Sequence, residues 1–106
     1  MIARMWRGTV RTGDAGRYCA YVQETGISNY KSTPGNLGAW LLTNSLDELT
    51  EVVTLSFWAS EEAIRAFAGD DISVARFYPE DEQYLVDWGT EVQHYQVHSQ
   101  DGNAPN

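Results

Sequence analysis

Two-residue and helical hydrophobic periods alternate along this chain in the order strand, helix, strand, strand, helix, strand, and few architectures accept that order. Ile2 to Thr9 alternates Ile2, Arg4 and Trp6 with Ala3 and Met5, which predicts a first strand. Thr12-Gly13-Asp14 supplies a turn and a helix N-cap, and from Ala15 to Thr25 the side chains Tyr18, Tyr21, Val22 and Thr25 recur at spacings of three and four. Gly26 is placed to stop that helix. Ser28 to Thr33 is polar and is expected to be loop or a short turn of helix.

Pro34-Gly35-Asn36-Leu37-Gly38 is a turn signal, because proline presets the first central position of a type II turn and glycine accepts the positive φ of the second. Ala39 to Thr43 and Thr50 to Trp58 then read as an antiparallel hairpin joined through Asn44 to Leu49. Ser60 is a candidate cap for a second helix with Glu61 and Glu62 in its first turn and Ala63, Ile64 and Phe67 as its buried stripe. Asp70 to Tyr78 fits neither period, Pro79-Glu80-Asp81-Glu82 resembles the opening of a third helix, and Val92 to Val97 alternates again as a fourth strand. The fold class expected is α+β, a ferredoxin-like four-stranded antiparallel sheet with helices on one face. Its uncovered face calls for a second copy of the chain, giving a dimeric α/β barrel.

The chain has 106 residues, within the range of a single domain, expected over residues 1–98 with Ser99 to Asn106 as a loose tail. A hydrophobic fraction of 42% is enough for a packed interior. The net charge of -8 argues against nucleic acid and anionic membrane surfaces as partners. It is also uneven: five basic and two acidic residues precede Asp47, against two basic and thirteen acidic from Asp47 onward. Such a face aids solubility, and it would repel anionic ligands from everywhere except a pocket near Arg4. No apolar run approaches the ~18 residues of a membrane helix and no apolar signal segment follows the N-terminal arginines, so a cytoplasmic location is expected. The single cysteine, Cys19, has no intrachain partner and is expected to be an inert thiol.

Thr33-Pro34-Gly35-Asn36-Leu37-Gly38-Ala39, followed by Thr54-Leu55-Ser56-Phe57-Trp58-Ala59-Ser60-Glu61-Glu62-Ala63-Ile64, resembles the antibiotic-biosynthesis monooxygenase family over most of Met1 to His98. The resemblance implies a homodimer with sheets packed face to face and a ligand pocket between sheet and helices in each subunit. It also implies that Trp58 lines this pocket and that Trp6 takes the pocket position of the first strand. The family spans cofactor-independent oxygenases acting on phenols, heme-degrading enzymes and quinol monooxygenases, so it restricts fold more than chemistry. The heme-degrading branch carries an asparagine where this chain has Trp6 and an iron-binding histidine near Phe77 or Tyr78, which makes heme degradation an unpromising assignment. Where many members carry a histidine in the second helix, this chain has Phe67.

Alternation groups Trp58 with Ser56, Thr54 and Val52 on one face of the third strand, an odd choice for a purely apolar core when Phe57, Leu55 and Val53 lie one residue away. Arg4 groups with Trp6, and His94 with Val92 and Gln96. If the three sets converge, Arg4, His94 and Trp58 are the candidate catalytic residues and Trp6, Ser56 and Thr54 the candidate substrate pocket. A planar aromatic with phenol or quinone oxygens would suit it, given a cavity on the order of 300 Å³. The structural alternatives are that both tryptophans fill the core or an interface, that His94 is a hydrogen-bonded strand residue, and that Arg4 pairs with an acid such as Glu91. Neither a metal site nor a cofactor is expected: phosphate-binding and dinucleotide fingerprints are missing, and the carboxylates around Asp70 and Glu80 fit solvated helix starts. The functions carried forward are a cofactor-independent monooxygenase, a non-catalytic small-ligand-binding or interaction dimer, and other chemistry such as an isomerase on the same scaffold.

Overall fold

A computed structural model describes residues 1–101; the expectation for the tail from 102 onward lies outside the described residues. The first strand, β1 (Ile2–Arg11), buries Arg4, Trp6, Gly8 and Val10 on one side, as its alternation requires. The hairpin is longer than expected: β2 (Asn36–Leu46) and β3 (Leu49–Trp58) run in register almost to their ends and leave only Asp47-Glu48 as the turn. Asp47 takes φ 57, tolerable for an aspartate, and the Thr12 hydroxyl donates to its carbonyl at 2.8 Å. Polar residues such as Asn44 and Ser45 hid this extension, since on an exposed hairpin end they mimic loop composition.

The sheet order is β2-β3-β1-β4, entirely antiparallel, with helices packed on one face, which is the expected α+β ferredoxin-like architecture. Among the described residues the expected four strands are corrected to five. β4 (Leu85–Asp87) pairs with Thr9 and Val10 of β1, whereas β5 (Gln93–Gln96) pairs with Ile2 to Met5. The two occupy one position beside β1, interrupted where Gly89, at φ 51, turns the chain and its carbonyl accepts the Trp6 indole N–H at 2.7 Å.

The first helical segment also departs from expectation. Gly26 does not stop it: α1 (Ala15–Val22) passes through a π turn over Gln23–Ile27 into α2 (Ser28–Ser32). The π turn inserts one residue into the buried stripe, so that Tyr18 and Val22 are followed by Ile27 and Tyr30, all buried against the sheet. That extra residue breaks the helical period at Gly26, and a backbone that never needs positive φ there makes glycine uninformative as a stop.

Helix α3 (Glu61–Ala68) begins as expected, with the Ser60 hydroxyl accepting from the Ala63 N–H at 3.2 Å and Ile64 and Phe67 buried. The preceding turn depends on Gly35, at φ 91, where a Cβ would come within 2.6 Å of the Ala63 Cβ. Residues 70–78 are irregular apart from one bridge, Val74 to Glu91, and the third helix, α4 (Asp81–Tyr84), is a single turn. Among the described residues, no helix is long and apolar enough to cross a membrane.

Candidate functional site

Cross-strand register decides which candidates meet. Arg4 lies opposite Ser56 on one side and His94 on the other, and Trp6 lies opposite Thr54, so the three strands place these residues on the helix-covered face. Arg4 is 2% exposed. Its Nη1 donates to the Ile72 carbonyl at 2.6 Å and to His94 Nε2 at 2.9 Å, and its Nη2 to the Val74 carbonyl at 3.4 Å. Its Nε–H is buried with no acceptor among the described residues, and no carboxylate there forms an ion pair with it, Glu91 included. Burial pulls the guanidinium below its ordinary pKa, partly offset by the neighbouring Tyr30 hydroxyl.

A cavity of ≈ 30 Å³ opens beside this group, lined by Arg4, Trp6 and Thr54 together with Tyr30, Phe67 and Phe77. That volume holds a water or two rather than an aromatic ring. Trp58 does not line it: the indole is fully buried behind Tyr30 and Phe67, 5.9 and 5.8 Å away between ring centroids, and its N–H donates to the Ser56 hydroxyl at 2.9 Å. Ser56 is buried with it, its hydroxyl 3.5 Å from the Arg4 carbonyl. Thr54 faces the cavity and shares a hydrogen bond of 3.2 Å with the Tyr30 hydroxyl. Burial raises the Tyr30 phenol's pKa, while Thr54 and Arg4 pull the other way. A wider trough, ≈ 500 Å³, lies on the opposite sheet face between β1 and residues 87–93, away from this constellation.

His94 accepts from a guanidinium that is always a donor, so its Nε2 is unprotonated and its proton sits on Nδ1. Burial first and the Arg4 charge second hold its pKa below the ordinary value, with Glu61 opposing. Unfolding therefore releases His94 to bind protons more readily. Its contribution to stability is present above an unfolded pKa of about 6.5 and is lost as the pH falls through the lower folded value. Acidification from neutrality should lower the urea midpoint more for the wild type than for His94→Gln; parallel pH profiles would contradict this.

Several side chains of the site were not legible in the sequence. Asp81, expected as a solvated helix-start carboxylate, is 4% exposed. It accepts from the Tyr18 hydroxyl at 3.0 Å and from the Tyr78 backbone N–H at 2.6 Å, reaching back three residues as in a capping box. Burial, with Asp81 next, drives the Tyr18 phenol's pKa above its usual range. Arg76, from the unassigned segment, donates to the Phe67 carbonyl at 2.9 Å and lies over the Phe67 and Tyr78 rings. The capping spacing from Tyr78 to Asp81 was the one local signal available. Cys19 is half-buried and its thiol pKa is pushed up by burial, in keeping with an inert residue.

No protein-family model matches the sequence, and no curated protein matches it. Solved structures do match its fold. A candidate antibiotic biosynthesis monooxygenase from Bacillus cereus superposes with a TM-score of 0.67 at 17% identity, over 96% of this chain and 97% of that one. A candidate antibiotic biosynthesis monooxygenase from Nitrosomonas europaea gives 0.65 at 13% identity, over 93% and 100%. A heme-degrader from Mycobacterium tuberculosis, solved with two hemes in its active site, gives 0.59 at 19% identity, over 96% and 100%. With nearly the whole length of each partner covered, the chain has the ferredoxin-like fold of the antibiotic biosynthesis monooxygenases.

Proposed function

We propose that this protein is a cofactor-independent monooxygenase that oxidises a small phenol or hydroquinone beside Arg4. One observation carries the proposal: a buried guanidinium with no carboxylate partner among the described residues stands at an aromatic-lined cavity. A buried charge is costly unless paired, and a phenolate supplies the missing partner. The fold neighbours described as monooxygenases support the same class of chemistry.

In this scheme the ring enters between Trp6 and the wall of Tyr30 and Phe67 as residues 75–78 move outward, because ≈ 30 Å³ cannot hold it otherwise. Arg4 turns from His94 to the phenolate oxygen, and the freed Nε2 of His94 takes the phenolic proton. The electron-rich ring then reduces dioxygen. A C–O bond forms at a ring carbon, the other oxygen leaves as water with two substrate hydrogens, and the product is a quinone. Trp58 and Ser56 act behind the wall, Trp58 backing Tyr30 and Phe67 while Ser56 anchors the indole; Thr54 orients the Tyr30 hydroxyl. Heme is a poorer fit, since its macrocycle would need a far wider opening than a single ring and Trp6 fills the first-strand position.

A homodimer is proposed with it. The sheet face away from the helices carries Trp40, Leu42, Val53, Leu55 and Phe57 side by side, with Leu42 43% exposed, an apolar surface that a second copy would cover. Light scattering at micromolar concentration should give the mass of two chains.

Oxygen uptake with a hydroquinone panel tests the chemistry. Consumption of oxygen with quinone formation is expected, and Arg4→Gln should lower kcat roughly 10²-fold or more. A second reading, a binding protein without turnover, is favoured by the engagement of the His94 lone pair with Arg4. Ligand binding without oxygen consumption would establish that second reading and overturn the first.

A further inference from the structure

From the two guanidinium groups at the cavity, we infer that its ligand is an aromatic acid: a ring bearing a phenolic oxygen for Arg4 and a carboxylate for Arg76. The inference rests on the phenol-binding role of Arg4 and extends it to the other end of the ligand. Arg4 and Arg76 both line the cavity, and both approach the Phe67 ring, with their guanidinium carbons 6.0 and 5.1 Å from its centroid. Both groups thus lie within about 11 Å of each other, a reach that a ring substituted at opposite ends can bridge.

Neither has an ion-pair partner among the described residues, whereas Arg7, Arg17 and Arg65 are bridged to Glu51, Asp14 and Glu61. In a chain of net charge -8, a cavity lining in which two arginines outnumber the one carboxylate, Asp81, is a local exception to an acidic surface. It marks the place where an anion is least repelled. Asp81 also lines the cavity, but its oxygens are taken by the Tyr18 hydroxyl and the Tyr78 N–H, so they face inward partners rather than the ligand.

The two arginines differ in a way that suits two different acidic groups. Arg4 is buried, where a single phenolate oxygen can meet the free Nε–H. Arg76 is exposed on the irregular segment 70–78, with its guanidinium over the Phe67 and Tyr78 rings and Nη1 given to the Phe67 carbonyl, and its remaining N–H groups can take a more strongly hydrated carboxylate.

Isothermal titration of the full chain with para-hydroxybenzoate and with its neutral isostere para-hydroxybenzamide tests this. The acid should bind about tenfold tighter or more. Arg76→Gln should erase the difference between the two probes, Arg76→Lys should restore part of it, and Arg4→Gln should weaken both. Equal or weaker binding of the acid by the wild type overturns the aromatic-acid assignment and leaves phenol binding at Arg4 standing. A preference for the acid that persists in Arg76→Gln also overturns it. Binding of neither probe removes the phenol-binding role together with this extension.

Discussion

Trp58→Ala should lower stability by about 3–5 kcal/mol, the range for removing a fully buried large aromatic whose cavity cannot collapse. The indole has no solvent exposure, packs against Tyr30 of α2 and Phe67 of α3, and lies opposite Ile2 in β1 and Asn36 in β2, where three strands meet two helices. Its removal also leaves the Ser56 hydroxyl without its indole donor in a buried setting. For a chain of this size the midpoint of thermal unfolding should fall by on the order of 15 °C. Trp58→Phe keeps most of the packing and should lose less than half as much. Thermal and urea unfolding of the two variants check this, and an alanine variant within a few degrees of the wild type would show that the wall behind the cavity is far more yielding than its packing implies.

Gly89→Ala is expected to have a comparable effect for a different reason, because the obstruction is backbone rather than a side chain. A Cβ at this position would land on the Arg7 carbonyl oxygen, and φ 51 is unfavourable for alanine even without that collision. The chain between β4 and β5 would have to lift from β1, and the Trp6 indole N–H would lose the Gly89 carbonyl. Destabilisation of about 3 kcal/mol or more is expected, accompanied by a red shift of tryptophan emission as Trp6 meets water. Gly13→Ala is the control, since a Cβ there meets nothing within 4 Å. Equal stabilities for the two alanine variants would mean that the interruption of the edge strand is not the rigid feature described above.

Both predictions turn on contacts between residues far apart in the chain, and legibility in the sequence divides along the same line. The type and order of β1, the β2–β3 hairpin and α3 were readable because each follows from a local signal: alternation in β1 and β3, the Ser60 cap with its acidic first turn, and the Pro34-Gly35 turn. The residues sharing a face followed from the same parity, so Arg4, Trp6, Thr54, Ser56 and Trp58 were correctly placed on one side of the sheet. His94 joined them because antiparallel register sets it opposite Arg4.

Contacts along that face needed distances that parity does not contain. Trp58 and Trp6 both point to the helix side, yet only Trp6 reaches the cavity, because Tyr30 and Phe67 stand in front of Trp58. Tyr30 arrives there through a π turn whose one-residue insertion is invisible to a 3.6-residue period. Asp81 is locally a helix-start carboxylate like Glu80 and Glu82, and it differs only because Tyr18, 63 residues earlier, points a hydroxyl at it. The sequence by itself determined β1, the β2–β3 hairpin, the start of α3 and the two-sidedness of the strands, since these depend on backbone propensity and nearest-neighbour spacing, but not the separate strand β4 or the passage of the first helical segment through Gly26. The tertiary structure alone decided that Arg4 would be buried with no carboxylate partner among the described residues, because whether a charge finds a partner depends on what the folded chain brings within a few ångströms of it.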